Sequence, residues 1–129
     1  MRVLPDTSIW IDYFRGHGDT GPLDRLLQEE TVISCGPVVA ELLAGTAPER
    51  RSALWLALGS LELVELEASA WREAGEHART LRERGTVVPL LDLLIGIAAL
   101  RADAALWTRD SGFERVGEVL PHLSLYAAA

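Results

Sequence analysis

Short apolar runs alternate with turn-forming residues along the chain, and the period of the runs switches repeatedly between that of a strand and that of a helix. Residues 2–4 form an apolar run that ends at Pro5-Asp6 and read as a first strand. Residues 9–15 read as a short helix closed by Gly16-His17-Gly18. In residues 22–29, Leu23, Leu26 and Leu27 recur at helical spacing, and Pro22 suits a first helical turn. The β-branched residues 31–34 are the second strand, and Pro37 opens a helix through Val38, Val39, Leu42 and Leu43 that ends near Gly45. Residues 48–58 are a further helix stopped by Gly59-Ser60, and residues 61–66 alternate apolar and acidic side chains as a half-exposed edge strand does. A long helix with charges on one side spans 68–84, and Pro89 introduces a helix over 91–101 that is apolar nearly all round and therefore buried. Residues 104–107 are a fourth strand, 113–116 a short helix and 123–126 a last strand, with Val87-Val88 as a short extended piece. Strands alternating with helices predict an α/β sandwich around a mostly parallel sheet, with residues 1–129 as a single domain free of repeats and linkers.

Composition adds three constraints. A hydrophobic fraction of 49% is enough for an ordinary core. Cys35 is the sole cysteine, which rules out an internal disulfide and fits a reducing compartment. No signal peptide opens the chain, and the longest apolar stretch is interrupted by Asp92 and too short to span a bilayer, so the expectation is a cytoplasmic protein without membrane contact. Charge changes the picture more. Twelve basic residues face nineteen acidic ones, a net charge of −7, and all twelve are arginine. The absence of lysine removes the P-loop and Schiff-base chemistry. An acidic nucleic-acid enzyme remains consistent with this balance if several of its acids hold cations.

Four acids are placed to do so. In open parallel sheets, ligands bind beyond the carboxyl ends of the strands, where strand order reverses. Asp6 directly follows the first strand and Asp110 shortly follows the fourth. Asp92 stands at the start of an apolar helix, where the N-terminal dipole favours an anion, and Glu41 lies among Val39, Ala40, Leu42 and Leu43. Each also has a structural explanation. Asp6-Thr7-Ser8 is capping chemistry, Asp92 suits a helix start, Asp110 suits a turn and Glu41 suits a solvated helix face.

Taken together, Asp6-Thr7-Ser8-Ile9-Trp10, the stretch from Val38 to Gly45 around Glu41, Asp92-Leu93-Leu94-Ile95 and Trp107-Thr108-Arg109-Asp110 followed by Phe113 come in the order of the PIN domains. More narrowly, they resemble the VapC toxins of toxin–antitoxin pairs, and the resemblance covers essentially the whole chain. It implies a three-layer sandwich with a central, mostly parallel sheet of about five strands. It also implies an endoribonuclease that hydrolyses RNA with Mg²⁺ or Mn²⁺. On that resemblance Asp6 and Asp110 bind the metal directly, while Glu41 and Asp92 bind it through water or orient the attacking water. Ser8 and Thr108 carry hydroxyls suited to hold those carboxylates, and Arg15 and Arg109 are the cations nearest in sequence for substrate phosphate. A cognate antitoxin and a homodimer are implied as partners. The chain departs from the family pattern at Gly112, where many relatives carry a further acid, at Leu91, where a small hydroxyl residue is frequent, and at Gly96, where alanine is usual.

Other candidates are weaker. His17, His77 and His122 are scattered, against a zinc site, and Cys35 reads as a buried small residue. Trp10 and Trp107 read as core, and the charges of residues 72–83 as a solvated face with internal ion pairs. A competing function is a catalytically inactive PIN-fold module that sequesters a protein or RNA partner; retention of all four acids weighs against it. A phosphatase using Asp6 as nucleophile ranks last, since that chemistry wants a second nearby acid and a lysine.

Overall fold

In a computed structural model, residues 1–128 are described. The all-buried strand β1 (Val3–Pro5) leads into α1 (Thr7–Arg15), which Gly16 closes in a left-handed conformation (φ 67°). There follow α2 (Gly21–Gln28), β2 (Ile33–Cys35) and α3 (Gly36–Ala44), with Pro22 and Pro37 in first helical turns as their fixed φ favours. The helix expected over 48–58 divides into a 3-10 turn at Pro48–Arg50 and α4 (Arg51–Gly59), 3-10 turns being frequent at helix N-termini. The remaining elements are β3 (Glu62–Val64), α5 (Ala68–Glu83), α6 (Leu90–Arg101), β4 (Ala105–Trp107) and α7 (Phe113–Val116).

All strand pairings are parallel. β1 lies beside β4, with Val3 opposite Ala105 and Pro5 opposite Trp107, and β2 lies beside β3. A bridge between Val3 and Val32 joins the two pairs, so the order is β3-β2-β1-β4. The fifth strand expected over 123–126 is reduced to one bridge, Leu125 to Leu106, with Leu106 N–H donating to Ser124 and Tyr126 N–H donating to Leu106 at 2.8 Å each. Val87-Val88 joins no strand: Val88 packs into the core and Val87 stays exposed ahead of Pro89. The chain moves outward from β1 through β2 to β3 and then returns to β1's other side as β4. The reversal therefore falls between β1 and β4, whose carboxyl ends release Asp6 and the Asp110 loop.

Beneath that crevice lies the core. Residues 93–99 of α6 are buried without interruption, which accounts for its lack of an amphipathic pattern. Helix α5 lies against it through Ala70, Ala74, Ala78 and Leu81, small residues at helical spacing that allow close approach. The opposite face of α5 carries the expected ion pairs, Arg72–Glu76 and Arg79–Glu83, both at 2.8 Å. Trp10, Trp107 and Cys35 are core residues, as their apolar surroundings imply. Gly96 has a packing role. A Cβ there would stand 3.0 Å from Leu120 Cδ1 and 3.1 Å from Val116 Cγ1, so glycine lets the segment after β4 settle onto α6.

Gly96→Val forces a branched side chain into that contact and is expected to destabilise the fold by roughly 1–3 kcal/mol, measured by urea denaturation. An unchanged midpoint would show that Leu120 and Val116 yield without cost.

Candidate active site

Asp6 ends β1 with extended backbone and begins α1 as its N-cap, its carboxylate accepting from Ile9 N–H at 3.3 Å. The capping and site readings therefore hold together. The carboxylate is 3% exposed and accepts two hydroxyl protons, from Ser8 at 2.5 Å and from Thr108. Both hydroxyls were anticipated from the sequence, but each also accepts a backbone amide. Ser8 Oγ takes Arg109 N–H at 3.2 Å, and Thr108 Oγ1 takes Asp110 N–H at 2.9 Å. The loop after β4 is thus tied to Asp6 through the same two side chains. Desolvation raises the Asp6 pKa above the ordinary carboxylate value, opposed by these hydrogen bonds.

The other three acids gather around this point. Asp92 lies in the first turn of α6, whose N-cap is Pro89, so it is not the cap that its position suggested. Its pKa is pushed up to about 6, first by desolvation and then by the charges of Glu41, Asp110 and Asp6 in that order. The charges of Glu41, Asp110 and Asp6 therefore act on Asp92, against the favourable dipole of α6. Glu41, half-buried on α3, accepts Thr7 Oγ1 at 2.8 Å; Thr7 is a contributor that sequence reading missed, though it sits between the two predicted residues Asp6 and Ser8. Asp110 is exposed and accepts Gly112 N–H at 2.8 Å, so the glycine that replaces the family's additional acid closes a turn around it. Among the described residues, no three His, Cys, Asp or Glu side chains are gathered tightly enough to grip one ion.

Of the two arginines expected at the site, Arg15 lines a groove of about 620 Å³ together with Glu41, Ile11, Phe14, Leu42 and Arg50. Arg50 was not anticipated, although it stands nine residues after Glu41, as Arg15 stands nine after Asp6. Arg109 is not free to meet a phosphate in this arrangement: its Nη1 pairs with Asp12 Oδ2 at 3.0 Å. Asp12 was also missed, although its spacing of four from Ser8 puts both on one face of α1. His17 and His122 are exposed, and His77 lies 3.4 Å from Glu73 on α5.

The pattern that defines the PIN domain matches residues 3–119. The chain belongs to the PIN-domain family. Among relatives, it is 31% identical to the VapC ribonuclease Mb1587 of Mycobacterium bovis over 124 residues, 91% of this chain and 92% of that one. It is 27% identical to ribonuclease VapC2 of Rickettsia felis, over 93% of this chain and 96% of that one. Among solved structures, it is similar to VapBC2 from Rickettsia felis bound to a promoter DNA fragment, with a TM-score of 0.76, 26% identity and 98% of each chain covered. It shares its fold with VapBC-1 from nontypeable Haemophilus influenzae, with a TM-score of 0.75, 23% identity, and 98% of this chain and 97% of that one covered. In this PIN domain, Asp6 and the Asp110 loop leave the carboxyl ends of β1 and β4, and Thr7 ties Glu41 of α3 to the residue beside Asp6.

Crowding those charges costs stability, and the sign follows from the shift. Asp92 binds its proton more tightly in the folded PIN domain than in the unfolded chain. Stability contributed at low pH is therefore lost as pH rises through about 6. Asp92→Asn is expected to raise the stability of the metal-free protein at pH 7.5, on the order of 1–2 kcal/mol after allowance for solvent screening. The gain should vanish below about pH 4, where Asp92 is protonated in both states. Equal thermal shifts at both pH values would contradict the assigned crowding.

Proposed function

We infer that this protein is a divalent-metal-dependent endoribonuclease and the toxin of a toxin–antitoxin pair. The observation that supports the reading is the set of hydrogen bonds beyond β1 and β4: Thr108 links the Asp110 amide to Asp6, and Thr7, next to Asp6, holds Glu41, while the charges of these acids raise the Asp92 pKa. Membership of the PIN family and 31% identity to a VapC ribonuclease supply the reaction class.

The donor set fits Mg²⁺ or Mn²⁺. It is entirely oxygen, as hard cations require, and the raised pKa of Asp92 beside other acids is what a bound cation relieves. A tight three-ligand cage is unnecessary, because Mg²⁺ is usually bound through one or two carboxylates and retains several waters. Asp6 and Asp110 would hold the ion directly, with Glu41 and Asp92 holding its waters. A cation there supplies Lewis-acid charge for the phosphoryl oxygens and a lowered pKa for attacking water.

The chain's own residues do the rest. Ser8 and Thr108 each spend their proton on Asp6, which keeps both of its oxygens aimed and its charge compensated. Thr7 orients Glu41 in the same way. Carboxylate oxygens of Glu41 and Asp92 would orient the attacking water and take its proton, as the bond from phosphorus to the leaving oxygen breaks and that oxygen takes a proton from solvent. Arg15, beside Glu41 in the groove, offers a cation to an RNA phosphate.

An antitoxin is the natural regulator, and the solved VapBC structures that this chain resembles are toxin–antitoxin assemblies. A homodimer would use apolar helical surface such as exposed Trp55, Leu56 and Trp71, and it would place two sets of arginines beside one RNA. Sedimentation showing only monomer at micromolar concentration would exclude that dimer. No helix among the described residues is long and apolar enough to cross a membrane.

The test is cleavage of structured RNAs by antitoxin-free protein with Mg²⁺ or Mn²⁺. Discrete cuts are expected, abolished by EDTA and reduced by more than roughly 100-fold in Asp6→Asn, beyond what loss of a supporting hydrogen bond costs. No cleavage of any RNA by folded protein would instead favour the inactive binding module.

A further inference from the structure

Asp110 is the least constrained of the four acids. It is exposed, and among the described residues its carboxylate bonds only within its own turn, to Gly112 N–H. Its position relative to Asp6 therefore depends on how the preceding residues are fastened. Arg109 is fastened twice to the same face of α1. Its N–H donates to Ser8 Oγ at 3.2 Å, and its guanidinium pairs with Asp12 Oδ2 at 3.0 Å, one helical turn further along. The loop between α1 and α2 lies over the guanidinium. Gly18, at φ +71°, would place a Cβ 3.6 and 3.7 Å from the two Nη atoms. Arg109 thus links three segments: the loop after β4, α1 and the loop that follows α1. By contrast, Arg15 and Arg50 in the adjoining groove have no carboxylate partner among the described residues.

We propose that Arg109 is a positioning residue. Through its ion pair with Asp12 it holds the Asp110 loop against α1, and so sets how well the site takes a divalent cation. The proposal rests on the metal-dependent reading above. Its physical basis is preorganisation. An ion shared by Asp6 and Asp110 requires nearly fixed oxygen positions, and a loop free to swing must be ordered at the moment of binding. The Arg109 side chain is 49% exposed and that of Asp12 29%. A pair this open adds little to global stability, so its loss separates positioning from folding.

The experiment is a Mn²⁺ titration followed by electron paramagnetic resonance, on wild type, Arg109→Ala, Asp12→Ala, the double variant and Arg109→Lys. Melting in EDTA and RNA-cleavage kinetics at saturating Mn²⁺ accompany it. Both single variants should bind Mn²⁺ more weakly by about 3–10-fold, at the lower edge of what outer contacts to a metal site contribute. The double variant should be no worse than either single one, because both remove the same contact. Arg109→Lys, which keeps a cation for Asp12, should recover most of the affinity. Melting in EDTA and KM for RNA should stay near wild type.

The opposite pattern overturns the proposal. Unchanged Mn²⁺ affinity in both single variants, with KM raised by Arg109→Ala and lowered by Asp12→Ala, would make Arg109 a phosphate-binding residue that Asp12 restrains. Absence of Mn²⁺ binding by the wild-type protein would remove the metal-dependent reading itself, and the proposal with it.

Discussion

A carboxylate sealed from water stays charged only if its oxygens find donors, and Asp6 finds three: Ser8, Thr108 and the Ile9 amide. The rest of the site hangs from that arrangement. A hydroxyl has one proton to give and lone pairs to receive, so Ser8 and Thr108 each give to Asp6 and receive an amide from the loop after β4. One buried anion thereby caps α1, ends β1 and anchors the segment bearing Asp110. Remove the charge and the two hydroxyls lose the acceptor that orients them; remove the hydroxyls and the charge is stranded in a dry crevice.

The fold brings repulsion to the same place. Asp92 is forced toward neutrality by desolvation and by Glu41, Asp110 and Asp6, although the dipole of its own helix acts the other way. A sequence under selection for stability alone has no reason to assemble such a cluster; one that must present oxygens to a cation does. The surrounding structure offsets the cost with uninterrupted apolar burial in α6 and the alanine seam of α5.

Charge is distributed to match. The negative excess would discourage an RNA, yet many arginines are spoken for: Arg2, Arg72, Arg79, Arg101 and Arg109 all pair with acids. Arg15 and Arg50 line the groove that adjoins Glu41, so positive charge is offered next to the acidic crevice even though the whole molecule is acidic. Local field rather than net charge governs what approaches the site.

Much of this was legible in the sequence because it is local. Apolar periodicity gave the elements, apart from the split at Pro48, the extended piece expected at Val87-Val88, and the strand expected over 123–126, which is reduced to one bridge beside Leu106. Asp6, Asp92, Asp110 and the two hydroxyls could be named because they stand near element ends, where strand-to-helix turns put side chains at a sheet's rim; Glu41, inside α3, was named from the motif around it. What the sequence could not decide were pairings across long separations. Thr7 reaches Glu41 across 34 residues, and the loop after β4 reaches Ser8 across about a hundred. Arg109, a candidate for substrate phosphate by sequence, meets Asp12 in the fold, and Arg50 lines the same groove as Arg15. Residue type and spacing determine what a side chain can do; which partner it meets depends on strand order and helix packing, and those are properties of the whole chain folded together.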